Sequence, residues 1–87
     1  MNKQYTNEKL LFKLVYYVKT YDEIPSQRDF KVEYGLASRN VYECRFGHIN
    51  VALKKAGLID KYGNRIKRSS EIDLSKIRYN KGGIEYE

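Results

Sequence analysis

The sequence predicts a mainly α fold. A small four-helix domain over residues 1–58, containing a helix-turn-helix, is followed over residues 59–87 by a basic segment and a short β-hairpin. Three observations carry this. Leu10, Leu11, Leu14, Val15 and Val18 recur at the spacing of one helical face. Twice a serine stands four residues before an aromatic, Ser26 to Phe30 and Ser38 to Tyr42, and each unit closes on a glycine, Gly35 or Gly47. Two short capped helices joined at a glycine turn outline a helix-turn-helix. Near the end, Ile77-Arg78-Tyr79 and Ile84-Glu85-Tyr86 alternate in polarity around Asn80-Lys81-Gly82-Gly83, a hairpin pattern.

The first helix is expected from Asn7 to about Tyr21, with Thr6 as N-cap, Glu8 at the positive helix end and Tyr5 stapled onto Leu10. Tyr17 and Tyr21 extend its apolar stripe, while Phe12 and Tyr16 lie off it. Such a helix is the centre of a bundle, with a dimer contact through Phe12 and Tyr16 as the second reading. Pro25 holds Ile24 extended and separates this helix from the next. Ser26 and Asp29 form a capping-box variant, so a second helix is expected over about 27–34, with Leu36 and Ala37 in the turn after Gly35.

A third helix is expected between Ser38 and Gly47. Val41, Tyr42 and Phe46 define its buried arc, with Asn40, Glu43 and Cys44 most exposed and Arg39 near the boundary. Arg45 falls inside the arc, where a guanidinium must pair with an acid such as Asp29 or Glu33 or reach out past the helix end. The fourth helix, about 49–56, places Ile49, Ala52, Leu53 and Ala56 on one face and Lys54 and Lys55 on the other, and Gly57 ends it. Tyr62-Gly63-Asn64 is a turn signal between two short strands, and residues 69–75 read as loop.

Eighty-seven residues make one small domain, which buries only about 60–65% of its unfolded surface. Nine tyrosines and three phenylalanines supply much of the core. Cys44 has no partner for an internal disulfide, no Cys/His cluster suggests zinc, and the start Met1-Asn2-Lys3-Gln4-Tyr5 lacks the apolar run of a signal peptide. A soluble, cytoplasmic chain without membrane contact or cofactor is the expectation. The net charge of +6 is uneven. Residues 54–68 hold Lys54, Lys55, Lys61, Arg65, Lys67 and Arg68 against Asp60 alone, giving +5. That cluster suits phosphate contact, and a solvated face explains it equally well.

The run Ile24-Pro25-Ser26, Asp29-Phe30, Gly35-Leu36-Ala37-Ser38, Val41-Tyr42, Arg45-Phe46-Gly47, Asn50, Ala52-Leu53 and Ala56-Gly57-Leu58 resembles the homing-endonuclease-associated repeat over about residues 8–58. That resemblance implies a compact helical DNA-binding unit of the kind found beside nuclease domains and in phage or mobile-element proteins. It assigns caps to Ser26 and Ser38, and packing roles to Phe30, Tyr42, Phe46, Ala52 and Leu53. The chain departs from it at Ala37, where the family usually has proline, and at His48-Ile49, where it usually has Ser-Trp. The first loss at 48–49 weakens the cap on the fourth helix, and the second shrinks the core.

Catalysis is not expected. A nuclease of the HNH type needs several His, Asn and Asp groups around a metal, and His48 is the only histidine. It reads as an N-cap substitute or surface residue, Cys44 as a free structural thiol, and Gly82-Gly83 as a turn. The leading reading is a small non-enzymatic regulator that binds double-stranded DNA with its third helix in the major groove. Arg39 is then the candidate for guanine and Asn40 for adenine, with Glu43 on the same exposed face. Gln27, Arg28, Lys54, Lys55, Lys61, Arg65, Lys67 and Arg68 are the candidates for phosphate. The second reading is a phage-type module that modulates a host protein through an edge strand at Ile84 to Tyr86.

Overall fold

The computed structural model describes residues 6–80 and 83–86, so the Tyr5 staple and the Lys81-Gly82 hairpin tip lie outside the described residues. The apolar stripe forms helix α1, Asn7–Tyr21. Thr6 Oγ1 accepts from the Lys9 N–H at 3.1 Å, satisfying a first-turn donor. The helix stops at Asp22, whose left-handed φ of 55° turns its N–H back to the Val18 carbonyl. Leu10, Leu11, Leu14, Val15, Tyr17 and Val18 are buried, whereas Tyr16 is 53% exposed. Among the described residues no helix is long and apolar enough to cross a membrane.

Among the described residues there are three α-helices rather than four. The expected second helix is replaced by two single 3₁₀ turns, Gln27–Asp29 and Val32–Tyr34, with Lys31 extended between them. The reason is a missing apolar face. Phe30 is buried, but Gln27, Arg28, Lys31, Val32, Glu33 and Tyr34 are exposed, Val32 at 81%. An eight-residue helix with one buried side chain has no packing to offset its nucleation cost. Asp29 instead folds back, its Oδ2 accepting from the Ser26 N–H (2.9 Å) and Oγ–H (3.0 Å), and closes the first turn locally. Among the described residues the expected pairing of a helix over 27–34 with the helix after Ser38 is therefore not formed. Leu36 and Ala37 do not merely span a turn either; they are 1% and 2% exposed and belong to the core.

The expected third and fourth helices are α2, Arg39–Phe46, and α3, Ile49–Lys55. Tyr42 is the centre of the core: fully buried, with its hydroxyl donating to the Leu10 carbonyl at 2.9 Å and its ring 5.1 Å from Phe30, edge on. This one side chain ties α2 to α1 and to the 3₁₀ segment. Ser38 begins α2 through its backbone, and its side chain makes no capping bond. At α3, His48 takes the cap role instead, Nδ1 accepting from the Asn50 N–H at 3.0 Å. Arg45 takes the second of its two expected courses, reaching out past the end of α2 rather than pairing with Asp29 or Glu33. It is exposed at the end of α2 and donates to Asn7 Oδ1 at 2.9 Å.

The C-terminal third packs on this frame. Asp60 accepts from the N–H groups of Tyr62 and Asn64, closing a tight turn with one antiparallel bridge, Ile59 to Arg65. Residues 69–75 are not plain loop: 3₁₀ turns at Ser69–Glu71 and Leu74–Lys76 flank the buried Ile72. Strands β1, Ile77–Asn80, and β2, Gly83–Tyr86, pair antiparallel with Tyr79 opposite Ile84, as the alternation predicts. Ile84 is buried, and the Tyr86 hydroxyl donates to the Ala56 carbonyl at 2.5 Å. Ile59, Ile72 and Ile84 thus share one core with α1, α2 and α3.

Candidate nucleic-acid interface

The first turn of α2 and the 3₁₀ turn Gln27–Asp29 border one shallow hollow, lined by Ser26, Gln27, Arg28 and Arg39. The local fold explains the meeting. Tyr42 and Phe30 pack edge to face in the core, which draws the solvent-facing residues around them onto one side. Glu43, four residues after Arg39, accepts from its Nε at 3.0 Å. An exposed pair at this spacing is worth only about 0.3–0.5 kcal/mol. It orients the guanidinium while leaving both terminal nitrogens available. Asn40 is the next exposed residue of the same turn. Because Ser38 supplies no side-chain cap, the positive end of α2 also stands open beside the two arginines.

Ser26 and Gln27 also form the edge of a second, deeper groove of about 320 Å³. Its floor is Ile24, Pro25, Ile49, Leu53 and Ile59, and its rim carries Gln27, His48, Asn50 and Arg65. Hollow and groove are continuous through Ser26 and Gln27. Sequence reasoning missed His48 and Asn50 as members of this surface. Their signal was available: they begin α3 just after Gly47, as Arg39 and Asn40 begin α2 just after Ser38.

The basic cluster does not form one patch. Arg65 is a structural clamp: Nη1 and Nη2 donate to the Asp22 carbonyl (2.8 Å) and Oδ1 (2.6 Å), and Nε donates to the Lys67 carbonyl (2.7 Å). The Ser69 N–H bonded to Asp22 and the Arg65 guanidinium hold that carboxyl below its usual range. Arg65, Lys67 and Arg68 share a small hollow with Glu71, and Lys67 Nζ lies 4.5 Å from the Tyr86 ring centre. Lys61 sits over its neighbour Tyr62 at 5.2 Å. Lys55 belongs elsewhere, to a cavity with Asn7, Glu8, Arg45 and Tyr79 at the far ends of α2 and α3. Lys54 is exposed on the outer side of α3 and lines none of these hollows.

Beneath the hollow, Asp29 is locked from behind. The Ser26 N–H and hydroxyl keep its carboxyl below the usual range, and a hydrogen bond from Tyr17 adds to this. Burial, followed by the neighbouring Asp29 charge, pushes the Tyr17 hydroxyl up to about 12. The Tyr17 hydroxyl of α1 and the Asp29 carboxyl of the 3₁₀ turn that carries Gln27 and Arg28 thus influence each other's titration. Among the described residues no three His, Cys, Asp or Glu side chains group as metal ligands. The family model of the homing endonuclease associated repeat matches residues 5–59. Comparison with curated proteins and with solved structures finds no match.

Proposed function

This chain belongs to the homing endonuclease associated repeat family, and on that premise we propose that it is a non-enzymatic module that binds duplex DNA with the start of α2 in the major groove. The hollow at Gln27, Arg28 and Arg39 carries the reading, because it places two cations and an amide beside the open positive end of a helix. Arg39 contacts a guanine edge through its two terminal nitrogens, with Glu43 holding Nε, and Asn40 contacts adenine. Gln27 and Arg28 contact the flanking phosphates, which fix register rather than sequence. Lys54, Lys61, Lys67 and Arg68 add salt-sensitive attraction, while Arg65 serves the fold. A partner-capturing edge strand is the less favoured reading, since Ile84 and Tyr86 are turned onto the helices.

Selection of bound duplexes at two salt concentrations tests this directly. Enrichment of a motif supports base readout, with log affinity falling by about 0.9 per neutralised phosphate for each unit of log salt. On the selected site, Arg39→Ala costs about 1–3 kcal/mol and relaxes one base position. Affinity indifferent to both salt and Arg39→Ala refutes the assignment.

A further inference from the structure

We propose that the groove between the 3₁₀ turn Gln27–Asp29 and the start of α3 receives one unpaired nucleobase of the bound DNA; this rests on the DNA reading above and assigns a ligand to the groove beside it. Its volume of about 320 Å³ is at the lower end of ligand-sized sites, suited to a single ring system. The occupant is a base rather than a phosphate because the floor is aliphatic. Ile49, Leu53 and Ile59 there are 6%, 3% and 5% exposed, and an anion against them would lose its hydration without replacement. A flat heterocycle gains from the same floor.

The rim supplies what a base edge needs. Asn50 offers an amide donor and acceptor, the pair of functions that a Watson–Crick edge presents once it leaves its partner, while Gln27 on its phosphate brings the strand to the groove mouth. The Nδ1 of His48 accepts from the Asn50 N–H, which leaves Nε2 as the ring's donor at the rim. Gln27 also borders the Arg39 hollow, so a strand held there by its phosphates runs directly past the groove mouth. Geometry, size and polarity thus converge on an extruded or already unpaired base.

The test uses the full chain and a short duplex carrying one bulged 2-aminopurine, compared with the same duplex fully paired. The expected results are a severalfold rise in 2-aminopurine emission, as the base leaves its stack for an aliphatic site, and affinity for the bulged duplex at least about tenfold higher, since no pair has to be broken. The methyl NMR signals of Ile49, Leu53 and Ile59 shift with the bulged duplex. Asn50→Ala, at an exposed position, brings the two affinities towards equality, and Ile49→Trp, which fills the groove, removes the emission rise. Equal affinities with unchanged emission and methyl shifts overturn the base site and leave the DNA reading standing. No binding to either duplex overturns both.

Discussion

Replacing Gly83 with alanine tests how the hairpin is seated on α3. Gly83 is buried, has a φ of +126° and pairs with Asn80. A Cβ there would overlap the Lys55 carbonyl oxygen, with the Lys55 carbonyl carbon at 2.6 Å and Cα at 2.9 Å. All three atoms are backbone, so no rotamer change relieves the contact. The left-handed conformation alone costs a Cβ-bearing residue about 1–2 kcal/mol. To escape the overlap β2 must leave α3. Exposing Ile84 then costs about 1.5–3 kcal/mol, and losing the bond from Tyr86 to Ala56 about 1 kcal/mol more. The total is about 3.5–6 kcal/mol. Gly63→Ala is the control, because Gly63 has a φ of +86° with nothing within 4 Å of its Cβ direction, so only the backbone cost of about 1–2 kcal/mol applies. Urea unfolding followed by circular dichroism and tyrosine emission measures both variants. If Gly83→Ala destabilises no more than Gly63→Ala, the seating of β2 on α3 is wrong.

Tyr42→Phe keeps the ring but deletes the hydroxyl bound to the Leu10 carbonyl, which retains its own partner within α1; a loss of about 0.5–1.5 kcal/mol in the same unfolding assay is expected. Asp22 has a folded carboxyl pKa below its ordinary 3.8, so its contribution is fully present above that value and fades as pH falls through the lower folded one. Asp22→Asn, which tolerates the left-handed φ, flattens this acid-side slope: the gap between wild type and variant is widest near neutral pH and closes in acid. Tyr17 gives the opposite sign, since its stabilisation holds below 10.0 and is lost as pH rises to about 12. Tyr17→Phe removes that alkaline slope from the unfolding midpoint measured against pH.

Helices whose stripes and stops are local were legible in the sequence. α1 reads from its aliphatic spacing and Thr6, and α3 from Ile49, Ala52 and Leu53. The segment 27–34 misled because its capping signal is genuine but its helix has nothing to bury beyond Phe30. A cap starts a turn; only tertiary packing decides whether the turn propagates. The hairpin was readable from alternation, whereas the role of Ile72 was hidden in a polar stretch whose ties to α1 run through Asp22 and Lys19, about 50 residues earlier. The candidate interface divides in the same way. Arg39 and Arg28 could be named from residue type and position, and the fold brings them together. Arg65 could not be separated from its basic neighbours by charge counting, because its partner Asp22 lies 43 residues earlier. His48 and Asn50 gained meaning only when the groove placed them opposite Gln27.

The bond from the Tyr86 hydroxyl to the Ala56 carbonyl links residues 30 apart, and it bears on the order in which the protein is made. At roughly 5–20 residues per second, translation takes roughly 1.5–6 s to travel from Ala56 to Tyr86. The segment matching the family ends at residue 59, so it is synthesised before the lock on the end of α3 and the cover supplied by Ile84 exist. Residues 6–59 by themselves therefore leave an apolar site without its cover, and a chain cut before Ile84 presents that site to chaperones or neighbouring chains.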